Sequence, residues 1–76
     1  MENEKLVKEF YAVVSKDFER EITAETTLKE LNMTSSDCFM IIADMEDLGA
    51  EDVTFGMLKK CETFGDAAEL MLENLE

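Results

Sequence analysis

Histidine, proline and tryptophan are all missing from this 76-residue chain. Without histidine there is no ordinary general base to activate a serine or cysteine nucleophile within the chain. The two cysteines, Cys38 and Cys61, form no CxxC pair. Zinc sites and disulfide scaffolds need more ligating or pairing residues than this. Both thiols read as reduced, small core residues, which suits a reducing compartment. No apolar run approaches the length of a membrane span: the longest, Cys38 to Ala43, is far too short. The opening Met1-Glu2-Asn3-Glu4-Lys5 lacks the basic-then-apolar order of a signal peptide. A soluble, cytoplasmic protein is expected.

Bases are scarce too. Nineteen acids face seven bases, for a formal net charge of −12. Such a surface repels phosphate backbones, which argues against nucleic acid as a partner. It also repels anionic membrane surfaces, and it attracts basic patches on other proteins. What is present in quantity is apolar material: 46% of the residues are hydrophobic, enough for a core despite the charge. A chain this short buries only about 60% of its unfolded surface. One domain, 1–76, is expected, working as a monomer, with no room for a two-lobed catalytic cleft.

Apolar residues recur at helical spacing. Leu6, Phe10, Val13 and Val14, with Phe18 a turn on, predict a helix over 2–18. A loop follows, anchored by Ile22 and flanked by Thr23, Thr26 and Thr27, whose hydroxyls favour turns and caps. Leu28 and Leu31 predict a short apolar turn. Thr34, Ser35 and Ser36 are each suited to cap a second helix, and Asp37 to its first turn. That helix runs to about Leu48, with Gly49 as its stop. Cys38, Ile41, Met45 and Leu48 share one face, with Phe39, Ile42 and Ala43 beside them. Asp37, Met40, Asp44 and Asp47 share another. A short, weaker helix or turn is expected over 53–60. Thr63 caps a last helix over 64–75, with the stripe Phe64, Ala67, Ala68, Met71 and Leu75. The expected fold is all-α, a small four-helix bundle of three main helices and one short one.

With these segments in this order, the sequence resembles the acyl carrier proteins over nearly its whole length. Glu21-Ile22-Thr23 and Thr27-Leu28-Lys29-Glu30-Leu31 resemble that family's long loop after the first helix. Leu31-Asn32-Met33-Thr34-Ser35-Ser36-Asp37 stands where the family has its LGxDSLD-type attachment motif. Cys61-Glu62-Thr63-Phe64-Gly65-Asp66-Ala67 resembles the entry to the family's last helix. The chain departs from the family's usual residues at Asn32 (Gly), Thr34 (Asp), Ser36 (Leu), Met40 (an acid), Gly49 (an aromatic) and Val53-Thr54 (Ile-Pro).

The resemblance implies a carrier rather than an enzyme. A phosphopantetheinyl transferase would attach 4′-phosphopantetheine from coenzyme A to Ser35, and acyl groups would ride as thioesters on the arm's sulfur. Ser36 is the rival position, but attachment there would move Phe39, Ile41 and Met45 out of the family's apolar register. A serine at a helix N-terminus is exposed, and its phosphodiester would sit near unpaired amides and the positive end of the helix dipole. Asp37, Met40, Asp44, Glu46 and Asp47 would face acyl-loading and acyl-processing enzymes that carry basic patches, Met40 adding an adaptable apolar contact. Phe39, Ile42, Ala43, Phe64, Ala67 and Met71 read as core, which in this family can also open around an acyl chain. The pathway implied is fatty-acid or polyketide-type biosynthesis. Two other readings stand beside it: an aminoacyl or peptidyl carrier, and an acidic helical interaction module that never receives an arm.

The charge imbalance makes one prediction that is independent of function. Self-repulsion strains the compact state and is screened by salt. The thermal midpoint is therefore expected to rise as salt is raised from about 10 mM to about 150 mM, where the screening length falls from roughly 30 Å to 8 Å. A midpoint indifferent to salt in that range, followed by circular dichroism, would refute the strain.

Overall fold

The computed structural model describes residues 2–75. They form four helices: α1 Glu2–Phe18, α2 Ser35–Asp47, α3 Phe55–Lys59 and α4 Phe64–Glu73. A single 3-10 turn, Lys29–Leu31, lies in the long loop between α1 and α2. The all-α bundle expected from the periodicity is the fold observed, and α1 has the predicted bounds. The last two helices are shorter than their apolar stripes suggested.

Each helix buries one face. Phe10 and Val14 of α1, Ile41 and Met45 of α2, Leu58 of α3 and Phe64, Ala67 and Met71 of α4 have no exposed surface. The aromatic centre is built around Phe64, whose ring lies 6.5 Å from both Phe10 and Phe18, tilted to the first and edge-on to the second. Aromatic pairs at such separations contribute beyond their burial.

The long loop is tied to the start of α4 by backbone hydrogen bonds. The Phe64 amide donates to the Thr26 carbonyl at 2.8 Å, Gly65 to Ala24 at 3.0 Å, and Leu28 to Glu62 at 3.0 Å. This approach favours glycine at position 65: a Cβ there would stand 3.0 Å from the Ala24 carbonyl oxygen, closer than ordinary contact. Thr63 caps α4 in a reciprocal box, its hydroxyl accepting from the Asp66 amide while the Asp66 carboxylate accepts from the Thr63 amide. The amides of Thr63 and Glu62 hold the Asp66 carboxyl below its ordinary pKa. At the other end of α2, Gly49 takes a φ of 112°, in the range that favours glycine, and stops the helix as expected.

Two residues expected in the core are outside it. Phe39 is 58% exposed, and Ala43 is exposed as well. They lie one turn apart on α2. The buried residues of α2, which packs on α1 and α3, are Cys38, Ile41, Ile42 and Met45.

Two substitutions probe this junction. Thr63→Ala is expected to cost about 1 kcal/mol through the lost cap. Phe64→Ala is expected to cost about 3–5 kcal/mol, enough to unfold much of the population of so small a domain. Urea titrations at fixed salt would read both; equal costs would contradict a structure centred on Phe64.

Candidate functional site

The N-terminus of α2 is where the motif residues meet. Just before it, Asn32 closes the 3-10 turn with a φ of 50° and a ψ of 49°. That left-handed conformation is natural for glycine and tolerated by asparagine, so Asn32 meets the backbone demand of the turn. Of the three capping candidates, Thr34 is the cap. Its hydroxyl accepts from the Asp37 amide at 3.2 Å, and the Asp37 carboxylate accepts from the Thr34 amide at 3.1 Å.

This assignment frees Ser35. It is the first helical residue and is exposed, as is Ser36. Because Thr34 supplies the cap, the Ser35 hydroxyl has no structural duty in the helix end. The first-turn amides beside it lack intrahelical acceptors, and the helix dipole presents positive potential there. An anionic group esterified to this hydroxyl would be favoured on both counts.

Beside this end lies a groove of about 370 Å³, walled by Leu28, Met33, Cys38, Leu58 and Cys61, with Asn32, Lys29 and Lys59 completing its lining. Met33 and Cys38 bracket Ser35 in sequence, but Ser35 itself is not in the lining. Both cysteines are unpaired. Burial, and for each a neighbouring acid, push their thiol pKa values above the ordinary one. They are thiols, not thiolates, at neutral pH, in keeping with the apolar role expected of them.

The five residues expected to face a partner do not share one exposed surface. Glu46 and Asp47 are exposed. Asp37, Met40 and Asp44 are only partly so, and the Asp37 carboxylate is engaged in the cap. Asp44 departs furthest from the expectation. Its Oδ2 is enclosed and has no hydrogen-bond partner among the described residues. Burial, then the Asp17 carboxyl of α1, then Asp47, push its pKa up to about 7. The stripe 37–40–44–47 runs along the border of the buried face, so the acid at 44 lies against α1 on one side and solvent on the other.

The face that α2 does present is rotated by about one residue. It holds Ser35, Phe39, Ala43 and Glu46. Phe39 stacks on Phe55 of α3, with ring centres 5.5 Å apart and planes 28° from parallel. Lys59 sets its ammonium 5.5 Å from the centre of the Phe55 ring. Sequence spacing missed this aromatic pair because it joins two helices; the one signal in the chain was the set of apolar residues on α2, too wide for a single buried stripe.

No helix among the described residues is long and apolar enough to cross a membrane. Comparisons with family models, with curated proteins and with solved structures found no match to the chain.

Asp44 makes a pH prediction. Its folded pKa lies above the unfolded value of 3.8, so the folded state binds the extra proton between these limits. The Asp44 contribution to stability is therefore fully retained below about pH 4, falls as pH rises toward 7 and stays reduced above it. Asp44→Asn removes that loss. It is expected to be more stable than the parent at pH 8 by about 1 kcal/mol, a figure discounted for the carboxyl's partial contact with solvent. The gap should narrow toward pH 4. Urea midpoints showing the same gap at both pH values would exclude the mechanism.

Proposed function

We propose that this chain is a carrier protein of the acyl carrier type, with 4′-phosphopantetheine attached at Ser35. The observation that carries the proposal is the free, exposed Ser35 hydroxyl at the first position of α2, released from capping by Thr34. The resemblance of the flanking segments supports it.

The chemistry asks little of the chain itself. The Ser35 Oγ attacks the phosphorus of coenzyme A that bears the pantetheine. A phosphodiester to serine forms, the pyrophosphate bond breaks, and adenosine 3′,5′-bisphosphate leaves. The serine proton passes to a base on the transferase, since this chain has no histidine to receive it. The helix end then stabilises the new phosphodiester, while the arm's thiol carries the acyl group. The chain is thus a substrate and partner of enzymes. Its cargo belongs to fatty-acid or polyketide-type synthesis, and its setting is the cytoplasm. The acidic surface suits loading and processing enzymes with basic patches.

The test is intact mass after incubation with coenzyme A and a broad-specificity phosphopantetheinyl transferase. One phosphopantetheinyl group is expected on the parent and on Ser36→Ala, and none on Ser35→Ala. The reverse pattern would move the attachment to Ser36. A parent that gains no mass with several transferases would sink the carrier reading in favour of an unmodified interaction module.

A further inference from the structure

Both cysteines of the chain wall one groove. Cys38 and Cys61 line the cavity of about 370 Å³ together with Leu28, Met33, Leu58 and Lys59, and both thiols are free. They reach it from different parts of the fold. Cys38 lies near the start of α2, its amide bonded to the Thr34 carbonyl at 3.1 Å. Cys61 lies in the link between α3 and α4. Its Sγ donates only a long, weak hydrogen bond, 3.8 Å to the Met57 carbonyl. Neither sulfur caps a helix or takes part in the chemistry at Ser35.

The two differ in access. Cys38 is 8% exposed, whereas Cys61 is half-buried, so a small molecule in solution reaches Cys61 first. Burial keeps both sulfurs protonated at neutral pH, which makes their reaction with such a molecule slow. Lys59, in the same groove wall, favours the Cys38 thiolate against burial and Asp37. Once Cys61 has reacted, a second sulfur stands in the same groove.

A disulfide needs Cα atoms about 4.4–6.8 Å apart, and α3 is the element able to adjust to that. It has five residues, of which only Leu58 is buried. So short a helix has little stability of its own. It packs on α2 and on α4, and its C-terminal end leads directly into Cys61. We propose that Cys38 and Cys61 are a redox-switchable dithiol that closes to a disulfide across the groove and ties the start of α2 to the link between α3 and α4. This rests on the fold and is independent of the carrier reading.

The oxidant is a low-molecular-weight disulfide, such as oxidised glutathione. The Cys61 sulfur loses its proton to solvent and attacks one sulfur of that disulfide. The solution S–S bond breaks and one glutathione thiolate leaves. The Cys38 sulfur, deprotonated in turn, attacks the Cys61 sulfur of the mixed disulfide and the second glutathione leaves. Two protein thiols and one solution disulfide become one protein disulfide and two solution thiols. Excess reduced glutathione drives the exchange backwards and reopens the groove.

The experiment equilibrates the full chain in glutathione buffers of graded redox ratio, quenches with acid, alkylates the remaining thiols and reads intact mass. The reduced chain should take two alkyl groups. The oxidised chain should take none, weigh two hydrogens less and remain a monomer, with a peptide map joining Cys38 to Cys61. Its thermal midpoint should rise by about 10 °C over the reduced form. Cys38→Ala and Cys61→Ala should each halt at one glutathione adduct; the map of the parent locates the bond whether or not these variants fold. Separate glutathione adducts or chain-to-chain disulfides, with no internal bond in the most oxidising buffer, would overturn the switch. So would an internal bond that lowers the thermal midpoint, or one that forms only in urea, since either would form at the expense of the fold. Failure of phosphopantetheine transfer to Ser35 would leave this result standing.

Discussion

Phe64 is where the chain's two halves are made to agree. Its ring enters the core against Phe10 and Phe18 of α1, while its amide binds the Thr26 carbonyl in the long loop. One residue therefore fixes α4 on α1 by packing and holds the loop over both by hydrogen bonding. The loop in turn sets where α2 begins. The 3-10 turn, the left-handed Asn32 and the Thr34 cap follow in succession. If the ring were not seated, the chain would lose the reference that aims Ser35 outward. Gly65 belongs to the same arrangement, since a side chain there would push the loop away from the helix.

The division of labour between Thr34 and Ser35 connects that architecture to chemistry. A helix end needs a side-chain acceptor for its free amides. When a neighbour supplies it, the next hydroxyl is left at the positive end of the dipole with nothing to do. Threonine in that role holds the helix end without placing a negative charge on the residue next to Ser35.

Asp44 shows the cost of fitting so many acids on a small bundle. A helix with a wide apolar face has little room at its borders, and an acid placed there is caught between solvent and α1. Its raised pKa records an ionised form that the fold tolerates poorly. Partial protonation near neutrality relieves the repulsion with Asp17. Phe39, stacked on Phe55 of α3, is the complementary exception, an aromatic ring left largely in water. Both follow from one rotation of α2, which buries Ile41 and Met45 and brings the rest of the helix wherever that requires.

The sequence alone determined that the chain is helical, where α1 begins and ends, that Thr63 caps α4 and that Gly49 stops α2. These are consequences of local periodicity, capping chemistry and backbone freedom, which act within a few residues. It also singled out Ser35 as a candidate, through the segment that surrounds it. It did not determine which hydroxyl caps α2, because Thr34, Ser35 and Ser36 are chemically equivalent until the incoming loop fixes their backbone angles. Nor did it determine the rotation of α2. Apolar residues cover more of that helix than its neighbours can bury, so spacing could not separate Ile42 from Phe39 and Ala43, or show that Asp44 would face Asp17. Only the packing of α1 and α3 against α2 decided which side was buried, because burial is a property of what lies across the interface and not of the helix alone.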